Sequence, residues 1–207
     1  MLQIRKGVFE TNSSSTHSIS IEKQSDVTDV KDYNDLHLYM NNNNEVETMF
    51  GCFGWSGPVL TTVAQKLSYL LAMVTATELS KYFYAKETRV VKEVSESGWE
   101  YVKREDDFLE NGEEAELEKI YTNLPGYIKI KEALEDKGYK LVFKPYNSIH
   151  IYTYSMDSWY PLGTIDHQSC EDYNDLEDFL NCKSISSVEE FLFDPKISII
   201  IDNDNHY

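Results

Sequence analysis

Over residues 59–74, apolar side chains recur at three- and four-residue steps: Val59, Leu60, Val63, Leu67, Leu70, Leu71 and Val74. That spacing puts them along one side of a helix, and such a stripe must be buried against other elements. Pro58 stands where a helix takes its first residue, after the turn-forming Gly51, Gly54 and Gly57. Thr61, Thr62, Gln65, Lys66 and Ser68 interrupt the stretch, which makes it too polar and too short for a membrane span. Leu67 and Leu71, in the middle of the stripe, are expected to be almost fully buried.

Short strands are expected ahead of this helix at residues 3–9, 17–21 and 36–40. In the second, Ile19 and Ile21 alternate onto one face, the period of a half-buried strand. The run Asn41-Asn42-Asn43-Asn44 predicts a solvated loop, because amide side chains compete with the backbone for hydrogen bonds. Helical character is expected to resume through Leu79, Tyr82 and Phe83 toward Val94, and again over residues 125–137, closed by Gly138. Residues 139–144 and 148–154 read as a hairpin around Pro145-Tyr146-Asn147, and residues 159–166 as a further strand. Two short helices at 175–179 and 188–193 precede a last strand at 197–201. Strands at both ends with helices between predict one α+β domain over residues 1–207. It has a mixed or antiparallel sheet and one long buried helix.

Charge narrows the function. Thirty-six acidic and 19 basic side chains leave a net charge of −17, which weighs against direct binding of nucleic acid or of an anionic membrane. Cys52, Cys170 and Cys182 form neither a CxxC pair nor an even set, so a disulfide scaffold and a thiolate zinc site are both disfavoured. With no targeting segment behind Arg5 and Lys6, a cytoplasmic protein is expected. No motif names a cofactor. The segment around Gly51, Gly54 and Gly57 lacks the Lys-Ser/Thr pair of a P-loop, and no GxGxxG pattern is present.

Three polar strings could carry chemistry. The densest is Glu10-Thr11-Asn12-Ser13-Ser14-Ser15-Thr16-His17-Ser18, close after Arg5. Its hydroxyls, amide and backbone N–H groups could cradle a phosphate or carboxylate, and His17 can transfer a proton near neutral pH. Asp166-His167-Gln168-Ser169, just past an expected strand, offers an acid, an imidazole, an amide and a hydroxyl. In an extended chain Asp202, Asp204 and His206 share a face and offer oxygen and nitrogen ligands to a divalent metal. Each has a plainer reading: a loop satisfying its own backbone, a capped turn, and a fraying terminus.

Residues 105–118 hold eight acids and no Lys or Arg. Such a run is a solvated face or a loop, or else a surface that imitates a nucleic-acid backbone and engages a basic groove on another protein. Glu113, Glu114 and Glu116 are the candidate contact residues.

The string from Phe9 to Ser18 following Arg5, then Phe53-Gly54-Trp55, then residues 166–169, then Phe191-Leu192-Phe193 and Asp202-Asn203-Asp204, together resemble an uncharacterised protein family. Its members are encoded by phages, prophages and low-GC Gram-positive bacteria. The resemblance runs nearly end to end, and Phe-Glu-Thr-Asn-Ser-Ser-Ser is its most specific part. Cys52 stands where the pattern carries an acidic residue, which weighs against a catalytic role for that loop. The resemblance implies a mobile-element setting and no established activity.

Two functions from different classes follow. In the first, a phage or mobile-element accessory protein binds a host or defence protein with a basic surface and interferes with it. In the second, a nucleotide- or phosphate-binding enzyme uses His17 and His167 as acid and base, with Asp166 orienting. Arg5, Glu10, Asn12, Ser13, Ser14, Ser15, Gln168 and Ser169 then hold the ligand. The charge and the lack of a catalytic motif favour the first.

Overall fold

Thr62 sets the start of the long helix. The computed structural model describes residues 17–23, 33–53, 59–79, 81, 92–94, 100–102, 114–144, 162–165 and 173–203, and within it α1 spans Val63–Val74. The Thr62 hydroxyl accepts from the Gln65 N–H at 3.3 Å, and the Gln65 side chain accepts from the Thr62 N–H at 3.1 Å. This reciprocal box satisfies two donors that a helix start leaves open. Asp35 takes a third, its carboxylate accepting from the Ala64 N–H at 2.9 Å. Val59 and Leu60, expected in the helix, instead form strand β4 and pair with Ile200 and Ile199. The rest of the apolar series lies in α1, and its first two residues belong to a sheet.

Eleven of the twelve α1 residues are buried, and Leu67 and Leu71 are inaccessible to solvent. The expected stripe has become a helix buried nearly all round, which is what a central helix requires. It continues as a π-helical turn over Thr75–Leu79. There the Thr75 hydroxyl reaches the Leu162 carbonyl at 2.7 Å, and the Tyr121 hydroxyl donates to the Leu71 carbonyl at 2.6 Å. Side chains thus occupy carbonyls around the point where the helical ladder changes register.

One sheet is antiparallel and three-stranded, in the order β1–β9–β4, with β1 spanning His17–Lys23 and β9 spanning Ile197–Asn203. Ile21 faces Ile199 across β1 and β9, and Ile197 and Ile199 are fully buried. Two further pairs are parallel. β2 (Glu45–Glu47) pairs with β7 (Lys140–Val142), and β3 (Cys52–Phe53) pairs with β8 (Thr164–Ile165). A short antiparallel pair, β5 (Lys92–Val94) with β6 (Glu100–Val102), completes the described strands. Gly163 lets β3 and β8 approach: its φ is +72°, and a Cβ there would lie 2.5 Å from the Gly51 carbonyl oxygen.

The remaining helices are α2 (Glu114–Tyr121), α3 (Pro125–Glu135), α4 (Leu176–Cys182) and α5 (Val188–Phe193). The last three pack on α1. Pro125 opens α3 and Gly138, at φ +84°, closes the turn after it, as the sequence predicts. The chain is α+β, with helices beside small sheets.

Two further expectations need correction. Residues 36–40 do not form a strand: Leu36–Tyr39 is a 3-10 turn, and only Met40 bridges to Val46. Leu36 is buried while Leu38 is 69% exposed, so the segment inserts one apolar side chain rather than an alternating face. The helix expected to run toward Val94 does not reach it, since Lys92–Val94 is strand. The expected strands at 3–9 and 148–154 lie outside the described residues.

Candidate functional site

Of the N-terminal polar string only His17 and Ser18 are among the described residues, and they open β1. The β1–β9 register sets His17 opposite Asn203 and Ser18 opposite Asp202. The end of one polar string and the start of another are therefore cross-strand neighbours. Arg5, Glu10, Asn12, Ser13, Ser14 and Ser15 lie outside the described residues, as do Asp166, His167, Gln168 and Ser169, and Asp204 and His206. β8 ends at Ile165, one residue before Asp166 in the chain, and its described partner is β3. Among the described residues no group of three His, Cys, Asp or Glu side chains is placed to hold a metal ion.

The acidic run is partly helical. Glu114 and Glu116 lie in α2, with Glu113 outside the described residues. Leu117 and Tyr121 anchor α2 to the interior, at 2% and 0% exposure, while Glu118 stays in solvent. Tyr121 packs edge-on against Phe50 and Tyr127 with ring centroids 5.5 Å apart, and against Phe143 at 5.3 Å. Aromatic pairs at these separations fix the helix on the core.

Beside α2 lies a groove of about 430 Å³. Glu118 and Thr122 form one end, α3 supplies Tyr127, Ile128, Lys131, Glu132 and Glu135, and residues 140–143 form the far wall. Tyr127, Leu141 and Phe143 are nearly buried, and Ile128 is 40% exposed. Lys131 pairs with Glu135 at 3.7 Å and Lys140 with Glu45. That leaves the Glu118 and Glu132 carboxylates without a cation among the described residues. Burial, with Glu118 and Glu135 nearby, pushes the Tyr127 phenol up to about 12, so it stays a neutral donor at physiological pH.

Other polar groups in the interior serve the fold. Lys66, inaccessible to solvent, donates through Nζ to the Asp194 carbonyl at 3.0 Å and more weakly to the Ile197 carbonyl at 3.4 Å. Burial pushes its ammonium down to about 8. Glu78 accepts from the Gly126 N–H at 2.9 Å and the Leu176 N–H at 3.3 Å, so one carboxylate caps the starts of α3 and α4. Cys52 is half-buried and Cys182 exposed; both are free thiols.

The groove residues Tyr127, Ile128, Glu132 and Leu141 were not singled out in the sequence, although one signal was present. Ile128 shares a helical face with Lys131, Glu132 and Glu135, an apolar residue on an otherwise charged stripe. Comparison of the chain with profiles of known protein families, with curated proteins and with solved structures yields no match.

Proposed function

We propose that this chain is a phage or mobile-element accessory protein that binds a host factor through an acidic surface and interferes with it, an anti-defence role included. The observation that supports this reading most is the anchoring of α2. Leu117 and Tyr121 hold an acidic helix against the core, so its charge is presented from a fixed support. Fixed charge of one sign steers a basic partner and sets orientation, whereas charge on a loose tail does so less specifically. The net charge of −17 adds a long-range field of the same sign. The test is capture from a bacterial host lysate, followed by association rates of the captured protein at two salt concentrations. The reading predicts a basic partner whose association slows as salt rises. A partner indifferent to salt would overturn it.

The β1–β9 register favours a second reading, a phosphate- or nucleotide-binding enzyme centred on His17, because it sets Asn203 directly opposite His17 on the same face of the sheet. Calorimetric titration with nucleotides and inorganic phosphate, on the wild type and on His17→Ala, tests it. Binding that disappears in the variant would support this reading, and absence of binding to the wild type would end it.

A further inference from the structure

We draw no further inference here: the strongest candidate, the groove between α2, α3 and β7, carries nothing, because residues 145–161 lie outside the described residues and nothing in the structure shows what covers it.

Discussion

Lys66 Nζ donates to the main-chain oxygen of Asp194 at 3.0 Å, tying the middle of α1 to the turn that leads from α5 into β9. The residues meet across 128 positions of sequence, and the ammonium has left solvent to do so. Carbonyls at a helix end carry partial negative charge and otherwise need water, so a buried lysine can serve them. Its cost is desolvation of the charge, which lowers its proton affinity below that of an unfolded chain.

Stability should therefore depend on pH in a defined window. A folded-state value of about 8 against an ordinary 10.5 means that the unfolded chain binds more protons between those limits. Stability rises with pH wherever the unfolded state binds more protons, by at most about 3 kcal/mol for this group. Above pH 10 the sign reverses, because burial holds the Tyr121 and Tyr127 phenols protonated while unfolded tyrosines ionise. Urea titrations at pH 7.5, 9 and 10 should show stability climbing in the wild type and staying flatter in Lys66→Met. Parallel pH profiles for the two proteins would refute this account of Lys66.

Leu67 and Leu71 have no exposed surface, so Leu67→Ala or Leu71→Ala should each cost about 2–5 kcal/mol through lost transfer energy and a residual cavity. A denaturant titration with unchanged slope and a lower midpoint would confirm it. A loss well below that range would mean that neighbours collapse into the space.

Gly126 is the place where Glu78 reaches the start of α3. A Cβ there would lie 2.5 Å from Glu78 Oε1 and 2.6 Å from Val74 Cγ2. Gly126→Ala should destabilise by about 1–3 kcal/mol, the usual range for overpacking. Glu78→Ala removes one of the two clashing groups, so the double variant should lose less than the sum of the single losses. Additive losses would show that the carboxylate and Gly126 are independent.

The elements legible in the sequence were those marked by local chemistry. Pro125 and Gly138 bracket α3, and the Ile197–Ile201 run reads as a strand, all without tertiary information. Val59 and Leu60 were misplaced because an apolar pair fits a helix stripe and a strand equally well, and β9 decides between them from 140 residues away. Leu36 failed likewise: one buried side chain carries no period. The groove was obscured because β7 finds its parallel partner, β2, far back in the chain, and that pairing places the wall formed by residues 140–143. Charge, by contrast, is a property of the run itself, so Glu114 and Glu116 stand out whether or not they lie in a helix.

That charge gives the most direct test of the proposed partner. Reversing Glu113, Glu114 and Glu116 to Lys moves the local charge by six units. Attraction between mostly solvated groups is screened, with a Debye length falling from about 10 Å at 0.1 M salt to about 3 Å at 1 M. The triple variant should therefore associate more slowly with the captured partner at low salt, and the difference from the wild type should shrink as salt rises. Dissociation should change less, because long-range fields act chiefly on encounter. Leu117 and Tyr121, which anchor α2, are unchanged in the variant, so the denaturation midpoint should move little. Stopped-flow association at two salt concentrations, with a urea titration of each protein, measures all of this. Equal rates for wild type and variant at low salt would reduce the acidic run to a solvated helix face.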